Sequence, residues 1–215
     1  IAKYFKIEIG VCGDVKDIIK KLNNIIIKKK FNKVSSLWTK NLIEKRKEYL
    51  KQRDINLSKK NFPIQPSDLF KCLRDVLPSS AAITLDAGTL CLQATDMFKF
   101  KNNKSLFTPL DFGLVGFSFA CGLGVKLAKP KTPVISLMGD GGFGMTISEL
   151  STAVEYKINT VTIVMNNGSW GAEKAYQRDF YNKRYIGSDI SSPPFHKLAE
   201  LYGAKGFYVD KISDI

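Results

Sequence analysis

From residue 63 onward short apolar runs alternate with amphipathic segments, and this alternation limits the fold more than any other feature of the chain. The apolar runs are "AAITLD" at 81–86, "TPVISLM" at 132–138, "TVTIVMN" at 160–166 and "AKGFYV" at 204–209. Between them lie segments with helical spacing: "PSDLFKCLRDVL" with Ser67 as N-cap, "FGLVGFSFACGLGVKLAK", "MTISELSTAVEYK" and "PPFHKLAELYG". Strands of this length separated by helices predict an α/β fold, a parallel sheet with helices on both faces. Such sheets bind ligands beyond the carboxyl ends of their strands.

The first third of the chain follows a different pattern. "KYFKIEIGVCGD" predicts a strand and "VKDIIKKLNNII" a helix, together the tail of an earlier αβ unit. "VSSLWTKNLIEKRKEYLKQR" at 34–53 predicts a surface or linker helix with few apolar anchors. The polar stretch after it leads to a domain boundary near Pro63 to Pro66. The chain opens at Ile1 and not at methionine, so the start of the natural protein is expected to be missing.

Composition excludes several classes. A 44% hydrophobic share belongs to a globular protein, and no apolar run approaches the ~20 residues of a membrane span. Cys12, Cys72, Cys91 and Cys121 lack the spacing of a zinc site and read as reduced, mostly buried thiols of a cytoplasmic protein. The net charge of +13 comes from dispersed lysines without a nucleic-acid-binding motif, so neither nucleic acid nor a membrane is an expected partner.

Two breaks carry the chemistry. "SLMGDGGFGMTISEL" at 136–150 puts Asp140 just past one strand, and "VTIVMNNGSWGAEK" at 161–174 puts Asn167 just past the next. Taken singly, each break reads as an ordinary turn. Together, at the ends of two strands joined through one helix, they can converge. The Asp140 carboxylate, the Asn167 amide oxygen and the Ser169 backbone carbonyl would then suit Mg²⁺, which prefers oxygen and completes its octahedron with phosphate and water. Gly139, Gly141 and Gly142 let backbone N–H groups approach a diphosphate, and a helix expected to start near Thr146 adds its positive end.

This pairing of "GDG" with "NN" resembles the diphosphate-binding signature of the thiamine diphosphate (ThDP) enzymes. By that resemblance Asp140, Asn167 and the Ser169 carbonyl hold Mg²⁺, and Gly141 and Gly142 face the cofactor. "LDAGT" resembles the family's Asp-x-Gly loop and puts Gly88 and Thr89 beside the cofactor. "FGLVGFSFACG" resembles the loop supporting the bent cofactor, with Val115 beneath the thiazolium ring. The implied domains are the end of a central domain at 1–30, an interdomain linker at 31–62 and the ThDP/Mg²⁺-binding domain at 63–215, which by the resemblance stops before the family's closing helices and makes a fragment truncated at both ends the expectation. The glutamate that activates the cofactor in this family lies on a preceding pyrimidine-binding domain, outside this chain. The resemblance further implies a homodimer or homotetramer with the site between subunits, and a chain inactive alone.

The loop "NNGSWGAEKAYQRDFYNKRYIG" at 166–187 resembles that of the sulfoacetaldehyde acetyltransferases. It lacks the Gly-Met and Gln-Trp typical of acetolactate synthases, enzymes that act on pyruvate. The implied reaction converts sulfoacetaldehyde and phosphate to acetyl phosphate and sulfite. Both anionic substrates need cationic partners, for which Lys174, Arg178 and Arg184 are candidates; the alternative is that they are solvated or paired with Glu173 and Asp179. Trp170 either lines the substrate cavity or packs as a buried indole. His196 reads as a surface residue and Glu149 as a helix-end residue, neither as a catalyst.

Overall fold

The computed structural model describes residues 6–29, 36–58, 64–102, 105–109 and 111–215, with main chain alone at 36 and 55–58. The chain divides into two units, Ile1–Ser58 and Lys59–Ile215.

In the first unit, residues 6–14 form no strand, and the rest of that expected strand falls outside the described residues. Alternating polarity alone does not make a strand; its backbone groups need a neighbour's, and no described segment supplies one. Helix α1 (Val15–Lys28) starts where expected because the Asp14 side chain caps it, accepting from the Asp17 N–H at 3.1 Å. Helix α2 (Ser36–Ser58) runs further than the polar stretch "DINLS" suggested. Lys, Glu, Arg, Gln and Leu continue through it, and these are good helix formers.

In the second unit four parallel strands form one sheet in the order β2-β1-β3-β4. They are β1 (Ala82–Leu85), β2 (Leu106–Phe107), β3 (Val134–Gly139) and β4 (Val161–Met165). Helices cover both faces. Ile83, Leu85, Ile135 and Leu137 point to one face, where α3 (Pro66–Val76) contributes Leu69, Phe70 and Leu73 and α4 (Thr89–Met97) contributes Cys91 and Ala94. The alternate residues Val134 and Met138 point to the other face. There α5 (Phe117–Ala128), α6 (Asp140–Thr146), α7 (Glu149–Glu155) and α9 (Phe195–Leu201) close a second layer around Phe119, Phe143 and Leu150. This strict alternation across a sheet buried on both sides accounts for the near-continuous apolar runs.

Between α5 and the sheet lies a buried polar knot. Thr84 Oγ1 lies 2.8 Å from the Ser118 carbonyl oxygen and 2.9 Å from Ser136 Oγ, and Ser118 Oγ donates to the Thr84 carbonyl. A Cβ on Gly122 would stand 2.3 Å from Ser136 Oγ, so only glycine lets α5 lie this close to the strands.

Several expectations need correction. The N-cap of α3 is Gln65, not Ser67, and Pro66 opens the helix, where its missing N–H costs nothing. The segment 204–209 is not a strand. After α9 the chain turns at Gly203 (φ +89°), Ala204 N–H bonds the Ala199 carbonyl, and Tyr208 packs on His196, so this segment doubles back along α9 instead of pairing with β4. "MTISELSTAVEYK" is two short helices, with α6 beginning at Asp140. Cys12 is exposed and the other three thiols are buried or half-buried; all four are free. No helix among the described residues is long and apolar enough to cross a membrane.

Candidate cofactor site at the carboxyl ends of the strands

Strands β3 and β4 are neighbours in register, Gly139 beside Met165, so the two sequence breaks emerge side by side. Asp140 is 1% exposed. Its Oδ2 accepts the Gly168 N–H at 3.1 Å and the Ser192 hydroxyl at 2.6 Å. Asn167 Oδ1 accepts the Ser169 N–H and Asn166 Oδ1 accepts the Gly168 N–H, each at 3.1 Å, which bends the loop sharply with Gly168 at φ +63°. Asp140, Asn167 and Ser169 are thus drawn into one small region.

Because α6 starts at Asp140 and not near Thr146, Gly141 and Gly142 occupy its first turn, where backbone N–H groups have no partner inside the helix. Gly141 lies directly under the half-buried Trp170 ring: a Cβ there would stand 2.5 Å from Trp170 Cζ3. Gly142 lies against Asp86, with a hypothetical Cβ 2.1 Å from Asp86 Oδ2. A Cβ on Gly139 would meet nothing within 4 Å.

Asp86, at the end of β1, is a residue that sequence reasoning passed over. Its two oxygens accept the N–H groups of Gly116 at 3.0 Å and Ser118 at 3.1 Å. The carboxylate therefore holds the loop carrying half-buried Val115 at the start of α5 and against the first turn of α6. The signal was the aspartate of "LDAGT" itself, an ionisable side chain ending a fully buried strand. Gly88 (φ +115°) precedes α4, and Thr89 opens it. A Cβ on Gly171 would meet Thr89 Oγ1 at 3.0 Å and Asn167 Nδ2 at 3.5 Å, so the 88–89 turn adjoins the asparagine loop.

Burial pushes the Asp86 carboxyl above the usual carboxylate range, opposed by the N–H groups of Gly116, Ser118, Phe117 and Ala87. A carboxyl that holds its proton more tightly in the fold contributes stability that is complete below the unfolded pKa. That contribution is lost as pH rises through the folded value. Asp86→Asn cannot titrate. The stability of the natural protein relative to this variant is therefore expected to fall as pH rises from about 4 and then to level off. Urea unfolding of both proteins across that range tests this; a difference that is flat or rises with pH would contradict it.

The distinctive loop forms α8 (Gly171–Phe180), strapped to residues 188–190. Trp170 N–H donates to the Ser188 carbonyl at 2.8 Å, and Ile190 N–H to the Gly168 carbonyl at 3.0 Å. Lys174 is ion-paired with Asp189, and Arg178 with Asp179 at 2.6 Å. Arg184 Nε donates to the Tyr181 carbonyl. Lys174 lies on the strap beside the cluster, whereas the contacts of the exposed Arg178 and Arg184 stay within α8 and its end. His196 is half-buried, and Glu149 accepts from Thr152 inside α7.

Among the described residues no group of three or more His, Cys, Asp or Glu gathers to hold a metal. A carboxylate, an amide oxygen and a carbonyl, all hard oxygen donors, suit Mg²⁺ better than zinc. Thr89 Oγ1 is buried without a hydrogen-bond partner among the described residues, and the N–H groups of Gly141 and Gly142 lie in the first turn of α6, without a partner inside the helix. An orphaned hydroxyl and first-turn backbone donors fit a bound diphosphate with its cation.

A cradle of this kind, at the strand ends of a doubly covered parallel sheet, suits a diphosphate-binding domain. Residues 86–215 match the thiamine pyrophosphate enzyme family, C-terminal TPP binding domain, and the chain belongs to that family. It is 29% identical to the sulfoacetaldehyde acetyltransferase of Castellaniella defragrans, over 98% of this chain and 38% of that protein. It is 31% identical to a probable acetolactate synthase large subunit of Methanococcus aeolicus, over 100% of this chain and 38% of that protein. The fold resembles the Rhodococcus jostii RHA1 thiamine diphosphate-dependent 4-hydroxybenzoylformate decarboxylase at a TM-score of 0.65 and 30% identity, covering 70% of this chain and 28% of that one. The chain thus spans 38% of the length of these two curated relatives.

Proposed function

We propose that this chain is the carboxyl-terminal part of a ThDP- and Mg²⁺-dependent acetyltransferase that converts sulfoacetaldehyde and phosphate to acetyl phosphate and sulfite. In this reading residues 1–30 end a central domain, 31–62 form a linker and 63–215 form the cofactor domain of a cytoplasmic homodimer or homotetramer. The observation that carries the substrate assignment is the loop 166–187, with its Trp-Gly-Ala-Glu-Lys, seated by Trp170 on the diphosphate turn at Gly141.

ThDP, when bound, supplies the nucleophilic carbon and the electron sink for acyl transfer. The residues of this chain bind and orient it. The N–H groups of Gly141 and Gly142 and the Thr89 hydroxyl hold the diphosphate, with Gly88 and Gly139 providing the turns. Asp140, Asn167 and the Ser169 carbonyl hold Mg²⁺. Val115, fixed through Gly116 to Asp86, supports the cofactor from the α5 side. Trp170 shields the diphosphate turn from water. Lys174, Arg178 and Arg184 are the cations available to a sulfonate or phosphate, which requires them to exchange their present partners for the substrate.

A second reading, an acetolactate-synthase-like enzyme acting on pyruvate, is favoured by the likeness to the Methanococcus aeolicus protein along the whole chain. The complete protein carrying this chain, given ThDP, Mg²⁺ and sulfoacetaldehyde, separates the two. Sulfite release with phosphate-dependent acetyl phosphate is expected. Carbon dioxide from pyruvate and no sulfite would replace the first reading with the second.

A further inference from the structure

We infer that Ser192 is a positioning residue for the metal site: its hydroxyl holds one oxygen of the Asp140 carboxylate so that the other is presented to the cation. The inference rests on the reading of Asp140 as a Mg²⁺ ligand. The Ser192 Oγ to Asp140 Oδ2 distance of 2.6 Å is that of a charge-assisted O–H···O⁻ bond, and the pair is partly buried. The Gly168 N–H reaches the same oxygen at 3.1 Å, and no described residue donates to Oδ1. Two donors on one oxygen stop the carboxylate from rotating and leave the second oxygen for a ligand. A metal-binding carboxylate gains affinity when it is oriented in advance by such partners.

The placement of Ser192 is held from both sides. Upstream, residues 188–190 are stitched to the asparagine loop by Trp170 N–H to Ser188, by Ile190 N–H to Gly168, and by the Ser169–Asp189 antiparallel bridge, with the Lys174–Asp189 ion pair beyond. Downstream, Phe195 at the start of α9 meets Phe143 of α6 edge to face, with ring centroids 5.1 Å apart. The same segment therefore touches the distinctive loop, the proposed metal ligand and the helix that follows it. "SSPP" ahead of a helix reads only as a turn in the sequence, and its hydroxyl lies 52 residues from its partner.

The test is Mg²⁺ binding by calorimetry at saturating ThDP, together with melting of the metal-free protein. It uses the complete protein carrying this chain and its S192A, S192C and S192T variants. The expected result is that S192A and S192C bind Mg²⁺ about 10-fold more weakly. S192T, which keeps the hydroxyl, should recover most of that loss and, metal-free, should melt like the natural protein. Wild-type Mg²⁺ affinity in S192A and S192C would overturn the inference while leaving the metal site standing. Weaker binding that follows a drop in metal-free melting temperature, and that S192T does not recover, would assign Ser192 to general folding and also overturn it. No Mg²⁺ binding by the natural protein would remove the metal reading itself, and the inference with it.

Discussion

Alanine at position 142 is expected to lower the melting temperature of the protein and to abolish cofactor binding, although the change adds a single methyl group. The methyl carbon would lie 2.1 Å from Asp86 Oδ2 and 3.2 Å from Asp86 Cγ, far inside contact distance. The Asp86 carboxylate cannot simply swing aside, because its oxygens hold the N–H groups of Gly116 and Ser118. Either α6 moves off β1 or the loop carrying Val115 is released. Overpacking of this kind costs about 1–3 kcal/mol, and each kcal/mol corresponds to about 2–4 °C in a unit of this size. Gly144→Ala supplies the control. A Cβ there meets nothing within 4 Å, and alanine favours a helix over glycine, so this variant should melt at or above the natural protein. Thermal melts of the two variants decide it: if they melt alike, the Asp86–Gly142 contact does not constrain the fold.

Asp140→Asn is expected to lower Mg²⁺ affinity by more than about 100-fold at saturating ThDP, because an anionic group that touches the cation should matter more than the outer partners, worth about 10–100-fold. The amide oxygen can still accept from Gly168 and Ser192, so the metal-free fold should remain. What disappears is the negative charge, in a position only 1% exposed, where solvent screens little. Calorimetric titration of Mg²⁺ measures the loss directly. Affinity within a few-fold of the natural protein would remove Asp140 from the ligand set.

The two variants probe different parts of the same turn, and their legibility in the sequence differed. Asp140 stands out in the sequence because chemistry and position coincide: an acidic residue among glycines at the end of an apolar run has few structural reasons to be there. The parallel sheet could be read from "AAITLD" and "TPVISLM", since strands buried on both faces show near-continuous apolar runs that end abruptly at polar turns, and "TVTIVMN", only partly buried as β4, continues the same strand-helix order. "KYFKIEIGVCGD" and "AKGFYV" look equally strand-like locally, yet residues 6–14 and 204–209 pair with no strand. A ladder depends on a neighbour as well as on propensity, and the 204–209 segment found its contacts along α9.

Helix α4 was missed because "TLCLQATDM" is short and weakly amphipathic, and its start is set by the Gly88 turn beyond β1. The start of α6 was misplaced for a related reason. Glycines disfavour a helix interior, but in a first turn they cost little, and the β3 exit directs them there.

The sequence by itself determined the alternation of strand and helix, the places where strands break, and the residue types able to hold a hard cation and a diphosphate. Those are local properties of spacing and chemistry. Only the tertiary structure decided that Asp86 clasps the Val115 loop to Gly142, that Trp170 lies on Gly141, and that Ser192 reaches Asp140. Each of these joins residues dozens of positions apart or depends on a missing Cβ. Strand order and helix approach settle such contacts, and neither is written in any single stretch of the chain.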